Sequence, residues 1–380
     1  MILGPVTRRH KIMFVVGTRP NFMKTAPVIR ELRGRPAEFE QVLVHTGQHY
    51  DEEMSQVFID ELAINDPDYF LGVGSGSHAQ QIARVIERLE PIIVATEPDV
   101  VLVPGDVNST LGAALATATV GTPIGHIEAG LRSFDRTLPE ETNRIIVDAL
   151  SQFLFIHSPE ARSNLIAEGC DEGSIHYVGN TMIDTLVALR ERIEALDAPA
   201  EHEVERGNYL VVTLHRHWLF ERPALLAEYV SRLADISEDI VVVFPMHPRT
   251  EATIEGLGLR FDTRRLRLLA PLGYLDFLGL VSGAAGVLTD SGGIQEETTF
   301  LGVPCFTLRP NTERPITVEM GTNVLLGLDP DRILQVPSLI REQKRGTKRV
   351  PPLWDGQASS RIVETLALEL DPAKAPAISR

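Results

Sequence analysis

Cysteine and positive charge are both scarce in this sequence of 380 residues. Its two cysteines, Cys170 and Cys305, lie far apart and form no CxxC pair. We therefore expect neither a disulfide framework nor a zinc site, and we expect a reducing, cytoplasmic location. Lys and Arg number 36 against 52 Asp and Glu, which gives a formal charge of −16 at pH 7. Because such a surface repels phosphate backbones overall, nucleic acid is not an expected partner.

Long apolar runs and metal-binding motifs are missing as well. The first apolar run, residues 12–16, is five residues long. A secretory signal needs about 7–15 apolar residues and a membrane span about 18 or more, so we expect neither. The sequence contains no HExxH motif, EF-hand loop or Cys/His cluster and predicts no metal site.

Short apolar runs alternate with helical patterns along the whole chain, which is typical of βα units. Near-continuous apolar strands indicate parallel sheets with helices on both faces. The length favours two domains, which we predict to be Rossmann-like, doubly wound α/β domains facing across a cleft. The predicted strands are residues 11–16, 41–45, 100–104, 123–127, 153–157, 175–178, 209–213, 240–245, 266–270, 286–289, 303–308 and 323–326.

A helical stretch that ends in Leu-Asp-Ala-Pro-Ala and an acidic run indicates a linker between the two halves. We expect an N-terminal domain at residues 1–185, a linker at 186–205 and a C-terminal domain at 206–354. The remaining segment, 355–380, begins with an amphipathic helical pattern.

A glycine-rich turn at residues 290–297 (DSGGIQEE) directly follows a predicted strand. Amides and the helix dipole at such a turn attract anions, so Ser291, Gly292 and Gly293 are candidates for a phosphate site. One helical turn later, a carboxylate such as that of Glu297 can accept hydrogen bonds from ribose hydroxyls. The alternative is an ordinary helix capped by the serine, with solvated glutamates.

The first predicted βα turn, residues 17–24, is a second candidate anion site. It places Arg19 at a helix start and Lys24 about one turn onward, where two cations could stabilise phosphate charge. The alternative is a plain turn with Pro20 in the first helical turn and two surface cations.

Acidic and histidine side chains follow several predicted strands. Asp106 and Glu128 end strands of the first half, and Glu140 opens a helix there. Because the carboxyl ends of parallel strands share one rim, these carboxylates could supply both an acid and a base. His215 and His247 follow strands of the second half and could be cationic partners of a phosphate. Each of these residues, taken singly, could equally be a helix cap or an ordinary loop residue.

Eight short motifs carry a family resemblance: GTRP (17–20), GD (105–106), HIEAGLR (126–132), PEETNR (139–144), GNT (179–181), DSGGIQEE (290–297), TERP (312–315) and DGQA (355–358). Together they span nearly the whole chain and resemble, in the same order, the non-hydrolysing UDP-N-acetylglucosamine 2-epimerases. The resemblance implies a two-domain glycosyltransferase-B-like fold, an active site in the cleft, and a C-terminal helix that packs back on the first domain. It also implies a UDP-sugar substrate and no cofactor. We also expect a homodimer.

The resemblance further implies roles for individual residues. Acid/base roles are implied for Asp106, Glu128 and Glu140. Contacts to the UDP-sugar are implied for Arg19, His247, Ser291, Gly292 and Gly293 (diphosphate), Glu297 (ribose), Tyr274 or Phe277 (uracil), and Lys24 and Arg314 (sugar or phosphate). Gln48 and His49 resemble a region that forms an effector site for UDP-GlcNAc in some bacterial members.

The implied reaction is the reversible interconversion of UDP-GlcNAc and UDP-ManNAc. No carbonyl acidifies the C2 proton, so we expect anti elimination of UDP to 2-acetamidoglucal, followed by re-addition. A glycosyltransferase of the same fold and a non-catalytic sugar-nucleotide sensor are the alternatives, and the three acidic residues favour the epimerase. The sequence departs from the family at Asn21, where most members have Glu, in a shortened segment at 132–139, and at 217–220. These departures leave open which 2-acetamido sugar is preferred.

Overall fold

The computed structural model of the chain describes residues 8–48, 61–62, 64–214, 219, 222–246, 250, 253–254, 256, 262–343 and 349–371. The chain divides into two compact units. Unit 1 comprises Met1–Thr185 and Pro352–Arg380, and unit 2 comprises Leu186–Pro351. Among the helices in these ranges, none is both long enough and apolar enough to cross a membrane.

Unit 1 is built on a parallel sheet of seven described strands. In spatial order these are β3 (Tyr69–Phe70), β2 (Phe39–His45), β1 (His10–Val16), β4 (Val100–Pro104), β5 (Ile124–Ile127), β6 (Phe153–Ile156) and β7 (Ile175–Tyr177). All neighbouring strands pair in parallel. The strand order reverses between β1 and β4, and such a switch point is where ligands of doubly wound sheets bind.

Helices cover the unit 1 sheet and bury its central strands. They are α1 (Arg19–Arg33), α2 (His78–Thr96), α3 (Asn108–Val120), α4 (Pro139–Leu150), α5 (Pro159–Ala167), the start of α6 (Thr181–Ala195), and α13 (Ala358–Glu369). Strand β4 is buried along its whole length. One core cluster joins apolar side chains of β1, β2 and β4 to Val85, Leu89 and Ile93 of α2. Continuous apolar strands are therefore explained by burial on both faces.

The C-terminal segment of the chain belongs to unit 1. Trp354 is buried, and its indole N–H donates to the carbonyl of His157 at 2.9 Å. The carboxylate of Asp184 accepts the amide N–H groups of Ala358 (3.1 Å) and Ser359 (2.7 Å), which begin α13. Burial raises the pKa of Asp184 despite these two hydrogen bonds. Helix α13 packs on α1 and buries Ile362 among its apolar residues.

Unit 2 contains a second parallel sheet, of six described strands. In spatial order these are β10 (Leu266–Leu269), β9 (Val241–Pro245), β8 (Tyr209–Thr213), β11 (Gly286–Thr289), β12 (Cys305–Thr307) and β13 (Asn323–Leu325). The helices of unit 2 that the structure describes from end to end include the rest of α6, α7 (Ala198–Glu201), α8 (Pro223–Ile236), α9 (Tyr274–Gly283), α10 (Gly292–Leu301), α11 (Ile316–Glu319) and α12 (Val336–Glu342). The order again reverses beside the first strand, between β8 and β11.

Two parallel, doubly wound sheets confirm the predicted α/β class. Each predicted strand has a counterpart whose ends agree within about two residues. Strand β3 was not predicted; it has two exposed residues at the sheet edge and therefore leaves no pattern in the sequence. The predicted linker, 186–205, includes the rest of α6 and the short helix α7.

Two glycines of unit 1 provide a matched test of close packing in this fold. Gly179 has φ +93°, and a Cβ there would lie 2.1 Å from the carbonyl oxygen of Leu353. Gly169 has φ +89°, with nothing within 4 Å of the corresponding position. We expect Gly169→Ala to cost about 1–2 kcal/mol of unfolding free energy, the cost of a left-handed residue. Gly179→Ala should cost more, because the clash adds to the strain.

Urea denaturation of both variants measures this difference. Equal losses would show that the close approach of Leu353 contributes nothing to the stability of unit 1.

Candidate active site

The turn after β1 is held by Asn21, the residue at which the sequence departs from the family. Its side-chain oxygen accepts the amide N–H groups of Gly17 (3.0 Å) and Thr18 (3.1 Å). Its amide nitrogen donates to the carbonyl of Pro104 at 3.1 Å. Asn21 therefore ties the first turn to the end of β4. Arg19 is the first residue of α1 and is half-buried.

Lys24 and Glu128 form a buried ion pair in unit 1. Lys24 comes from the second turn of α1, and Glu128 directly follows β5. Glu128 has φ +74°, a conformation that costs a residue other than glycine about 1–3 kcal/mol. Such strain is found most often at functional sites, where the surrounding structure holds it. Lys24, a candidate for the anion site, and Glu128, a candidate acid/base residue, therefore contact each other at the carboxyl end of the sheet.

A second charged group of unit 1 is centred on Arg144, which pairs with the candidate acid Asp106. Asp106 follows β4, is partly exposed, and forms an ion pair with Arg144 of α4. Glu140 is the second residue of α4 and is half-buried. The next residue, Glu141, was not selected from the sequence, yet it is only 1% exposed. Its carboxylate also pairs with Arg144, at 2.6 Å.

Glu141 is held in its charged form. Burial alone would raise its pKa, but hydrogen bonds from Ser133, Arg144 and Phe134 outweigh burial and lower the pKa. The amide N–H of Ser133 lies 3.0 Å and that of Phe134 2.8 Å from the two carboxylate oxygens. Phe134 itself has φ +58°. The shortened segment after Arg132 is therefore fastened to α4 by one buried carboxylate.

A buried network of charged side chains connects α4 to the ends of β4 and β5. The Asp148 carboxylate of α4 accepts hydrogen bonds from His126 Nδ1 (2.6 Å) and the amide N–H of Gly130 (3.1 Å), and it pairs with Arg132 (2.7 Å). His126 Nε2 lies 2.7 Å from the carbonyl of Gly105, which follows β4 and precedes the candidate acid Asp106. The network thus links β4, β5 and α4.

Arg132 completes the network with a second carboxylate, that of Glu168, at 2.5 Å. Burial lowers the pKa of Arg132, but the hydrogen bond of Glu168 and the charge of Asp148 outweigh it and raise the pKa. Arg132 thus lies between two carboxylates, those of Asp148 and Glu168.

In unit 2, the glycine-rich turn begins α10 directly after β11. Ser291 is the N-cap residue with an extended backbone, and within this fully described helix start its side chain makes no capping hydrogen bond. Gly292 and Gly293 are the first helical residues. A Cβ on residue 292 would lie 2.5 Å from a guanidinium nitrogen of Arg314. A side chain at this position would therefore displace the Arg314 guanidinium, and the amides at the helix start remain a candidate anion site.

The candidate ribose and uracil residues contact each other. The Tyr274 hydroxyl, at the start of α9, donates to Glu297 of α10 at 2.8 Å, and both side chains are buried. Phe277 is half-buried and packs against the core of unit 2. Arg314 pairs with Glu296 at 2.9 Å and also with Glu313. Thus α10 supplies both the candidate phosphate turn and the carboxylate next to it.

Of the four remaining candidate residues, the structure describes one, Gln48. Gln48 is buried, and its side-chain oxygen accepts the amide N–H (2.9 Å) and hydroxyl (2.7 Å) of Ser109. His49, His215 and His247 lie outside the described residues.

Unit 1 carries the candidate acid/base groups, and unit 2 carries a helix start that is a candidate anion site. Together these features define a class of protein: an α/β enzyme acting on a nucleotide-linked substrate. A family model described as UDP-N-acetylglucosamine 2-epimerase matches residues 30–367. The chain belongs to the UDP-N-acetylglucosamine 2-epimerase family, which confirms the resemblance found in the sequence.

Several named proteins are similar to this chain over nearly its full length. A UDP-N-acetylglucosamine 2-epimerase of Methanococcus maripaludis is 40% identical over 371 residues, covering 96% of this chain and all of the relative. A UDP-2,3-diacetamido-2,3-dideoxy-D-glucuronate 2-epimerase of Pseudomonas aeruginosa is 38% identical over 361 residues, covering 94% and 99%. The crystal structure of Methanocaldococcus jannaschii UDP-GlcNAc 2-epimerase in complex with UDP-GlcNAc and UDP has a TM-score of 0.86 at 36% identity and covers 94% and 99%.

Proposed function

We propose that this protein interconverts UDP-GlcNAc and UDP-ManNAc by inverting C2 of the sugar. The observation that carries the proposal is the pairing of Glu128 with Lys24 and of Asp106 with Arg144, after the neighbouring strands β5 and β4 of unit 1. Glu140 is in the first turn of α4, the helix that carries Arg144. In a family of sugar-nucleotide epimerases, this set offers both proton acceptors and proton donors. The named activities of the relatives support the same reaction.

The reaction proceeds by elimination and re-addition, because the C2 proton has no neighbouring carbonyl to acidify it. One carboxylate removes the C2 proton while the C1–O bond breaks and UDP leaves with the electron pair. The product of this step is 2-acetamidoglucal. UDP then adds back at C1, and a second acid delivers a proton to the other face of C2. Asp106, Glu128 and Glu140 supply these groups.

The departing UDP carries charge that the protein must stabilise. The amides of Ser291, Gly292 and Gly293 serve the diphosphate, together with Arg19, His215 and His247. Glu297 binds the ribose hydroxyls, with Tyr274 or Phe277 next to the uracil, and Lys24 and Arg314 contact the sugar or the phosphates. A single well-placed donor is worth about 3–4 kcal/mol at such sites. Unit 2 is thus the UDP-binding unit and unit 1 the acid/base unit.

Incubation with UDP-GlcNAc alone tests the function. The proposal predicts UDP-ManNAc in the absence of any acceptor, metal or nicotinamide. A glycosyltransferase would need an acceptor, and a sensor would bind the compound unchanged. The relative named as a UDP-2,3-diacetamido-2,3-dideoxy-D-glucuronate 2-epimerase makes a related UDP-sugar a second candidate substrate. Conversion of the 2,3-diacetamido uronate with no conversion of UDP-GlcNAc would replace the proposed substrate.

Two further properties belong to the proposal: a cytoplasmic location and a homodimer. The scarcity of cysteine supports the first, and light scattering of the purified protein measures the second. For Gln48 and His49, binding of a UDP-GlcNAc effector stays a prediction.

The pair formed by Glu297 and Tyr274 gives a specific prediction for UDP binding. Glu297→Gln removes a charged acceptor of ribose hydroxyls, and hydrogen bonds to charged groups are worth about 1.5–3 kcal/mol. We therefore expect UDP affinity to fall about 10- to 100-fold, while inorganic diphosphate binds as before. Tyr274→Phe is a second variant of this pair: it removes only the tyrosine hydroxyl that supports Glu297, so it should weaken UDP binding less than Glu297→Gln does.

Isothermal titration with UDP and with diphosphate measures both effects. Unchanged UDP affinity in Glu297→Gln would remove this residue from the ribose site.

A further inference from the structure

One buried carboxylate of unit 1, that of Glu141, has no role in the reaction as described above. It is adjacent to Glu140 in the first turn of α4 and is the more deeply buried of the two. Acidic side chains are almost never fully buried unless they are paired. The cost of burying Glu141 therefore calls for an explanation in terms of its contacts.

The Glu141 carboxylate accepts five hydrogen bonds. Oε1 accepts the amide N–H of Phe134 at 2.8 Å. Oε2 accepts the amide N–H and the hydroxyl of Ser133, both at 3.0 Å, and Nε and Nη2 of Arg144, at 3.2 and 2.6 Å. A carboxylate with so many donors is fixed in position and charge.

Arg144 connects this fixed carboxylate to the candidate acid/base residue Asp106. The guanidinium is planar, and its Nε and Nη2 edge faces Glu141 while Nη1 donates to the Asp106 carboxylate. Arg144 is itself 3% exposed, so it has little freedom to move. A second contact from α4 supports the same position: the Asn143 side-chain amide donates to the backbone carbonyl of Asp106 at 2.8 Å.

We infer that Glu141 is a positioning residue for the epimerisation: it orients the Arg144 guanidinium, which in turn orients the Asp106 carboxylate toward the sugar. The inference rests on the proposed function, since it concerns how Asp106 is aligned for that reaction. Glu141 and Asp106 also share the positive charge of Arg144. With Glu141 present, one guanidinium charge is divided between two carboxylates, so Asp106 is held in place without being fully neutralised as a base.

Glu141→Gln tests this inference. Gln keeps the size of the side chain but removes its charge, and its NH2 group must face one of the groups that donate to Glu141. We expect kcat to fall about 10- to 100-fold, because small displacements of a reacting group have effects of this order. The KM for UDP-GlcNAc and the affinity for UDP should stay close to those of the unmodified protein, because Glu141 is not a proposed contact of UDP.

Glu160→Gln is the matched control. Glu160 lies in the first turn of the next helix, α5, which also begins with a proline, and it is outside the proposed acid/base set. This variant should keep the original kcat and KM. Titration of both variants with UDP gives the concentration of folded sites, so that a loss of folded protein is not counted as a loss of kcat.

A double-mutant cycle distinguishes positioning from a general structural role. If Glu141 acts through Asp106, adding Glu141→Gln to Asp106→Asn should produce little further loss, because the group that Glu141 orients has already been disabled. Independent structural damage would multiply the two losses. Arg144→Lys provides a second route should Glu141→Gln fold poorly. A lysine is a point charge that cannot bridge two carboxylates, so the same loss of kcat is expected.

The outcomes separate the inference from the proposed function. If the unmodified protein does not epimerise UDP-GlcNAc, the proposed function fails. If it does, a near-original kcat in Glu141→Gln and Arg144→Lys overturns the positioning role, as does full multiplication of the losses in the double variant. A raised KM with unchanged kcat would also overturn it, because it would assign Glu141 to binding.

Discussion

Asp106→Asn, Glu128→Gln and Glu140→Gln are each expected to lower epimerase turnover by at least about 100-fold while UDP still binds. Each change keeps the shape of the side chain and removes its basicity, and general acid–base assistance is commonly worth about 10²–10⁴-fold. UDP affinity should be largely kept, because the proposed contacts of UDP lie mainly in unit 2. Steady-state kinetics and isothermal titration measure the two quantities separately.

Glu97→Gln is a suitable control for these variants. Glu97 is exposed and precedes β4, at the opposite end of the strand from Asp106. Variants impaired in re-addition should also release free UDP and the glucal. Near-normal turnover in any one amide variant would remove that residue from the catalytic set without affecting the other two.

Asp148→Asn is expected to lower the stability of the fold by about 3 kcal/mol. Asp148 is 1% exposed and accepts hydrogen bonds or ion pairs from His126, Gly130 and Arg132. Removing one partner of a buried charge typically costs 3–5 kcal/mol, because the remaining charge stays desolvated. Glu168 still pairs with Arg132, so we expect a value at the lower end of this range.

Urea denaturation of Asp148→Asn and a surface control measures this cost. Glu172→Gln breaks an exposed ion pair with Arg162 in the same unit and should cost less than about 1 kcal/mol. Equal stability losses in the two variants would show that the buried network contributes no more than a surface pair.

The fold was predictable because apolar strands buried on both faces leave a strong pattern in the sequence. Strand β4, Val100–Pro104, is buried at every position and was predicted with its observed bounds. Strand β3 escaped prediction because two exposed residues at a sheet edge carry no periodicity. Local sequence patterns therefore predict the buried strands, whereas the edge strand β3 forms because it pairs with its neighbour β2.

The candidate site was only partly predictable, because tertiary contacts decide which of several similar residues is buried. Glu140 and Glu141 are adjacent and chemically identical, and the sequence does not show that Glu141 is the deeply buried one and meets Ser133 and Arg144. The partners of Arg132 were equally hidden, because Asp148 and Glu168 lie 16 and 36 residues further along the chain.

The pairing of Tyr274 with Glu297 was hidden for the same reason. Both residues were selected as substrate contacts, but their hydrogen bond joins two helices that are separated by strand β11 in the sequence. Residue types and motif order therefore identified the family, while the supporting contacts of each side chain required the structure.

Epimerisation in heavy water tests the central claim, elimination of UDP and its re-addition, most directly. The C2 proton is removed by a protein group and a solvent-derived one is delivered to the opposite face. UDP-ManNAc formed from UDP-GlcNAc in D2O should therefore carry one deuterium at C2, as read by mass spectrometry and proton NMR. UDP-ManNAc that retains the original C2 hydrogen would contradict elimination and re-addition, and with it the assignment of acid/base roles to Asp106, Glu128 and Glu140.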